Sequence, residues 1–136
     1  MAYEFLEHTA DIKFRAYDKT IEGLFRSILL AFRDTLTSDS LEKKNLKRIE
    51  IKAQDLESLV YSFLDELIFL FDTEEIIPVD VEKISIDTTN FSLTALIWFD
   101  TSIGKEIING VKAVTFHDLF IRREGEKWVA QIVLDV

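Results

Sequence analysis

The residues of this chain best suited to metal or acid–base chemistry are its two histidines and the carboxylates beside them. His8 is followed three residues later by Asp11, and His117 is followed directly by Asp118. A carboxylate next to an imidazole fixes the tautomer and stabilises the imidazolium, which suits metal binding or proton transfer. Together these four side chains could hold a catalytic metal, so a free-standing metal-dependent hydrolase is one hypothesis. A structural role for each histidine is the simpler alternative.

A second group of oxygen donors lies at the end of the sequence. Asp135 precedes Val136, so a side-chain carboxylate stands next to the main-chain terminal carboxylate. With a third carboxylate from elsewhere, this pair would suit Mg²⁺, Ca²⁺ or Mn²⁺ better than a soft metal. Spacing alone also permits the opposite outcome, because chain ends commonly fray into water.

Other kinds of site find little support in the sequence. There is no Cys, which excludes cysteine nucleophiles, thiolate zinc sites and disulfides. No Gly-x-Ser-x-Gly elbow or Gly-rich phosphate loop occurs, and the acidic turn Asp72 to Glu75 lacks EF-hand spacing, so we interpret it as structural. The formal net charge of -9 opposes direct binding of RNA phosphates. Any link to RNA is therefore expected to run through a protein.

The start of the chain and its apolar runs bear on where the protein is found. Met1 to Glu4 carries no basic segment followed by an apolar region, and the run Ile28 to Phe32 is far too short to span lipid. The absence of Cys agrees with a reducing interior. We therefore expect a cytoplasmic protein without a membrane anchor.

Two amphipathic helices are predicted in the first half of the chain. Thr20 is a suitable N-cap, and apolar residues recur at helical spacing from Ile21 to Phe32. Asp55 caps the second helix, whose wide apolar face runs from Leu56 to Phe71. Between them, residues 38–47 are polar and are predicted as a solvated loop.

The remaining segments alternate apolar and polar residues, which predicts strands. They are Tyr3 to Leu6, Ile12 to Tyr17, Arg48 to Ala53, Val79 to Ile86 with a bulge near Glu82, Phe91 to Phe99, Val114 to Arg122, and Lys127 to Leu134. Strands in a row after the two helices predict one α+β domain over residues 1–136, a mainly antiparallel sheet with two amphipathic helices packed on it.

Four segments, in order, make the chain resemble the archease family. They are Glu7 to Asp11, the Leu-rich helix and acidic turn from Leu59 to Glu74, the segment Lys112 to Leu119, and the ending Leu134-Asp135-Val136. Because they occur at family-like spacing, the resemblance covers essentially the whole chain.

The resemblance implies an accessory protein rather than an enzyme. Archeases assist the RtcB-type RNA ligase of tRNA splicing: they promote guanylylation of the ligase, permit multiple turnover and broaden the nucleotides that it accepts. The expected partner is therefore that ligase, with RNA contacted only indirectly, no membrane, and a monomeric chain. A free-standing hydrolase and a chaperone-like binding module are the alternatives.

The resemblance also implies a metal site. Its ligands would be Asp11, Asp135 and the terminal carboxylate of Val136, and the metal a divalent ion such as Ca²⁺, Mg²⁺ or Mn²⁺. Three further residues are expected near that site, in structural or functional roles, namely His8, Lys112 and His117.

Overall fold

Two helices and two antiparallel sheets make up the fold. The computed structural model describes residues 2–6 and 11–136. The elements of this part of the chain are β1 (Ala2–Leu6), β2 (Ile12–Asp18), α1 (Ile21–Leu36), β3 (Asn45–Lys52), α2 (Leu56–Glu74), β4 (Ile76–Asp87), β5 (Ser92–Thr101), β6 (Ala113–Glu124) and β7 (Lys127–Asp135). The strand order is β1-β2-β7-β6 in the first sheet and β3-β5-β4 in the second.

Helix α1 begins at the N-cap that the sequence predicts. The hydroxyl of Thr20 accepts a hydrogen bond from the backbone N–H of Gly23 at 3.0 Å, and Thr20 itself donates to the carboxylate of Asp18. That carboxylate lies so close to Gly23 that a Cβ at this position would be 1.9 Å from its oxygen. Glycine is therefore needed here to leave room for the cap.

Helix α2 begins and ends near the predicted positions. The side chain of Asp55 accepts a hydrogen bond from the backbone N–H of Ser58 at 2.7 Å. The helix ends at Glu74, and Glu75 takes the left-handed conformation with φ 54° and ψ 46°. The acidic turn is thus the C-terminus of a helix, and Pro78 follows within β4.

One continuous hydrophobic core holds the two sheets and the two helices together. Each helix contacts strands of both sheets. The fully buried rings of Phe25 in α1 and Phe63 in α2 meet edge to face, with centroids 5.4 Å apart. Burying a phenylalanine side chain stabilises the fold by about 2 kcal/mol, and such a ring pair adds roughly 1 kcal/mol.

The predicted α+β class and both helices are confirmed, and two details differ from the sequence prediction. The strands divide between two sheets rather than one, because alternation shows which side of a strand is buried but not which strand it joins. Strand β3 begins at Asn45, inside the segment predicted as a loop. The predicted bulge is present, since the β4–β5 register shifts between Val81 and Lys83.

Asp100, near the end of β5, is a buried carboxylate that ties three segments together. It accepts hydrogen bonds from the backbone N–H groups of Glu42 at 2.8 Å and Thr101 at 2.7 Å. The ammonium groups of Lys44 and Lys105 each lie 3.5 Å from its oxygens. Burial by itself raises the pKa of Asp100, but the two hydrogen bonds and the two lysines outweigh it and hold that pKa below its ordinary value.

Replacing Asp100 with Asn is therefore expected to lower the free energy of unfolding at pH 7 by about 2 kcal/mol, because an amide nitrogen cannot accept from a backbone N–H. The folded-state pKa of Asp100 is depressed, so its contribution is present above the unfolded value near pH 4 and is lost as the pH falls further. Urea unfolding at pH 7 and pH 3 measures both effects, with exposed Glu126→Gln as the control. An equal loss of stability at the two pH values would contradict this account.

Candidate metal centre

The pairing of β2 with β7 brings the two predicted metal-binding aspartates to the same end of the first sheet. Ile12 is the register partner of Leu134. Asp11 directly precedes Ile12 and Asp135 directly follows Leu134, so each aspartate is next to a residue of this last register pair. On the other side of β7, Ala113 is the partner of Asp135.

Asp135 lies on the side of the sheet that faces away from the core. Side chains alternate along a strand, so Asp135 is on the opposite face from Ile132, which is fully buried, whereas Asp11 is half-buried in a bend just before β2. Asp135 is exposed, and Val136 is half-buried and packs against the edge of the core. The chain end is therefore held by packing next to the two aspartates rather than fraying.

A cavity of about 310 Å³ adjoins Asp11. Its lining includes Phe5, Asp11, Lys13, Asp34 and Asn109. Asp34 is already engaged, because it accepts hydrogen bonds from the hydroxyl of Tyr3 and from Nε of Arg33. Burial of Tyr3 and its hydrogen bond to Asp34 raise the pKa of that tyrosine to about 12. Among the described residues that line this cavity, Asp34 is therefore already held by two hydrogen bonds.

The donor set at this end of the sheet fits a hard divalent cation. Two aspartate side chains and a main-chain terminal carboxylate supply only oxygen ligands, which Mg²⁺, Ca²⁺ and Mn²⁺ prefer. Within residues 2–6 and 11–136, no three His, Cys, Asp or Glu side chains cluster as a metal site. The fit therefore depends on the terminal carboxylate of Val136 acting as the third donor.

His117 and Asp118 lie on a bulge in β6 that the sequence did not predict. The β6–β7 register shifts between Thr115 and Phe120, and Asp118 takes a left-handed conformation with φ 59°. The amide nitrogen of Gln131 donates to the carbonyl of Asp118 at 2.8 Å, and its oxygen accepts from Nε of Arg15 at 2.8 Å. Because Gln131 is buried, this chain of hydrogen bonds fixes the shape of the bulge.

The side chains of the bulge form a small charged group. The carboxylate of Asp118 lies 3.3 Å from Nε2 of His117 and 3.6 Å from the ammonium of Lys13. The His117 side chain is 74% exposed. In the described part of the chain, Asp11, His117 and Asp118 do not form a metal-binding group. His8 and the rest of Glu7 to Ala10 lie outside the described residues.

Lys112 lies beside the end of β7. Its backbone N–H donates to the carbonyl of Asp135 at 2.8 Å, and its side chain is exposed. Lys112 therefore lies close to Asp135 along the sheet.

Comparison with known proteins gives the same assignment as these motifs. The model of the Archease protein family (MTH1598/TM1083) matches residues 3–136. The chain belongs to the archease family. Protein archease of Pyrococcus furiosus is 39% identical over 140 residues, covering 98% of each chain, and that of Methanosarcina barkeri is 36% identical over 139 residues, covering 98% of this chain and 95% of the relative.

Two solved structures share the archease fold with this chain. The solution structure of Methanobacterium thermoautotrophicum protein 1598 superposes with a TM-score of 0.82 at 35% identity, covering 98% of each chain. The crystal structure of a Thermotoga maritima archease, described as a possible chaperone, gives a TM-score of 0.65 at 21% identity, covering 96% of this chain and 94% of that one. In the archease-family chain described here, no helix of the described residues is long and apolar enough to cross a membrane.

Sequence reasoning missed the residues that shape the bulge of this archease-family chain. A signal for one of them was present, because Gln131 is the only polar residue between Val129 and Leu134 in an otherwise apolar strand. A buried amide requires hydrogen-bond partners, so its position indicated a polar neighbour on an adjacent strand. The identity of those partners, Arg15 and the Asp118 carbonyl, depends on strand order and could not be read from the sequence.

Proposed function

We propose that this chain is an accessory protein, not an enzyme, that activates an RtcB-type tRNA-splicing RNA ligase in the cytoplasm. It promotes guanylylation of the ligase and repeated turnover, and it broadens the nucleotides that the ligase uses. Family membership supports this proposal, and the observation that carries it is the β2–β7 register, whose last pair, Ile12 and Leu134, is adjacent in the chain to Asp11 and Asp135. RNA is contacted only through the ligase, and the chain acts as a monomer.

The metal site is part of the proposal. Asp11, Asp135 and the terminal carboxylate of Val136 would hold a divalent cation, for which Ca²⁺, Mg²⁺ and Mn²⁺ are the candidates. When bound, such an ion supplies positive charge that stabilises phosphate oxygens. The chain's own carboxylates orient that charge at an exposed end of the sheet, where a partner's reacting phosphates can reach it.

The overall charge fits a nucleic-acid-binding enzyme as the partner. With a formal net charge of -9, the chain is attracted to a basic RNA-binding surface and repelled by RNA itself.

The test measures the joining of RNA ends by the cognate RtcB-type ligase, with GTP present and RNA in excess over the ligase. The reaction is followed with and without this chain. We expect the ligase alone to stop after about one turnover and to continue when the chain is added. No effect at any ratio would contradict the proposal. Phosphoester hydrolysis without any partner would instead favour a metal-dependent hydrolase, and protection of unrelated aggregating proteins would favour a chaperone-like module.

A further inference from the structure

Three aromatic side chains, two of them exposed and one half-buried, lie along the outer side of α2 and on the bulge of β6. Phe69 and Phe116 are each 55% exposed. The ring of Phe116 stacks in parallel on the ring of Tyr61, with centroids 4.1 Å apart and planes 2° from parallel. We call Tyr61, Phe69 and Phe116 the aromatic surface. Large apolar groups left in water at one place commonly mark a site of protein association.

The shape of the aromatic surface suits an elongated partner segment. Tyr61 and Phe69 are eight residues apart in α2, which is about 12 Å along the helix axis and about 80° around it. Asp65 and Asp72 lie within the same arc and are exposed. The side of α2 that faces water is thus a strip of more than two helical turns, comparable to the length of a short docked helix.

The charges that α2 contributes beside the aromatic surface have one sign. Helix α2 contains no Lys, Arg or His, and its acidic residues are Glu57, Asp65, Glu66, Asp72 and Glu74. In the part of the chain that the structure describes, Glu74 pairs with Lys47 at 3.0 Å, whereas Asp65, Glu66 and Asp72 form no ion pair. The negative charge beside the rings is therefore uncompensated, and it repels nucleic acid and anionic lipid.

We infer that the aromatic surface is the docking site for a basic amphipathic segment of a partner protein. Apolar residues of that segment cover Phe69 and Phe116, and its Lys or Arg side chains pair with Asp65 and Asp72, where desolvation strengthens the attraction. Guanidinium groups also stack favourably on exposed aromatic rings. A second copy of this chain is a poor occupant, because its own charge of -9 opposes association.

One ring of the aromatic surface, that of Phe116, lies on the same strand as the register partner of Asp135. Ala113 is the register partner of Asp135, and Phe116 is three residues further along. At about 3.3 Å per residue the separation is roughly 10 Å. The rings lie on the side of this sheet that α2 covers, whereas Asp135 lies on the side that faces away from the core, so a partner segment on the rings would contact a different face of the sheet.

The experiment uses the cognate RtcB-type ligase as the probe, and in that respect it rests on the proposed function. Binding of the full chain to the ligase is measured by titration calorimetry at low and physiological salt. Phe69→Ser and Asp65→Lys are each expected to weaken binding about tenfold or more. Asp65→Lys should also make the affinity for the ligase less dependent on salt concentration. The matched controls are Ile103→Ser, at a side chain 66% exposed elsewhere, and Glu126→Lys, with the same charge change.

The possible results distinguish failure of the docking surface from failure of the proposed function. Equal binding by Phe69→Ser, Asp65→Lys and the two controls would overturn the docking surface while leaving the proposed function intact. Failure of the unmodified chain to bind the ligase would overturn both. Self-association of the unmodified chain in sedimentation, removed by Phe69→Ser, would assign the surface to a second copy and overturn the basic partner. Thermal unfolding of each variant should match the unmodified chain, because the altered side chains are exposed.

Discussion

Replacing Asp135 with Ala is expected to abolish activation of the ligase while leaving the fold intact. The side chain is exposed at the end of β7, so its removal creates no cavity. It removes one of only three expected donors, and divalent metal affinity should fall on the order of 100-fold or more. Calorimetric titration with Ca²⁺, Mg²⁺ and Mn²⁺ measures the affinity, and multiple-turnover RNA joining measures the activation.

The control and a second variant sharpen this test. Glu126→Ala removes another exposed carboxylate, in the β6–β7 turn, and should change neither the metal affinity nor the activation of the ligase. A glycine appended after Val136 keeps both aspartates but moves the terminal carboxylate by about 3.8 Å, and it should weaken metal binding as strongly as Asp135→Ala. If Asp11→Ala abolished metal binding and left ligase activation unchanged, the metal site would have no part in the function.

Replacing Phe63 with Ala is expected to cost about 3–5 kcal/mol of unfolding free energy, the largest loss of stability for any single change considered. Phe63 is fully buried in α2 and packs edge to face on Phe25, so the substitution removes an aromatic pair and leaves a cavity between the helices. Domains of this size are stable by only about 5–15 kcal/mol, so the variant should be close to its unfolding threshold.

Urea unfolding followed by circular dichroism measures this loss of stability, and a second phenylalanine of α2 serves as the control. Phe69→Ala makes the same chemical change six residues further along the helix, where the ring is 55% exposed, and should change stability by less than about 0.5 kcal/mol. Similar losses at the two positions would mean that the core does not depend on the contact between α1 and α2.

The helices could be predicted because their signals are local. Thr20 and Asp55 are N-caps, and the side chain of each accepts a hydrogen bond from the backbone N–H three residues later. Apolar side chains at helical spacing mark the buried faces. That Asp11 and Asp135 lie at the same end of the first sheet could not be predicted from spacing, because it arises from a pairing between strands more than a hundred residues apart in the chain. The family resemblance indicated these residues without giving the geometry.

The bulge of β6 could not be predicted from the sequence for a different reason. The alternation that begins at Val114 breaks at His117-Asp118, but this break does not show whether the strand bulges or ends there. The bulge is held by Gln131 and Arg15 on two other strands. Local features such as caps can be read from one segment, whereas features that several strands share require the assembled sheet.

The position of β7 has a consequence for folding. This strand is the last along the chain, yet it lies inside the first sheet between β2 and β6. During synthesis β1 and β2 emerge early and can pair with each other, but the second edge of β2 must wait for nearly all of the remaining chain, so the first sheet is completed only when synthesis is nearly finished. Until then, two strand edges stay unpaired and open to aggregation. A prematurely terminated chain would remain in that state, and would never acquire the carboxylates that end the sheet.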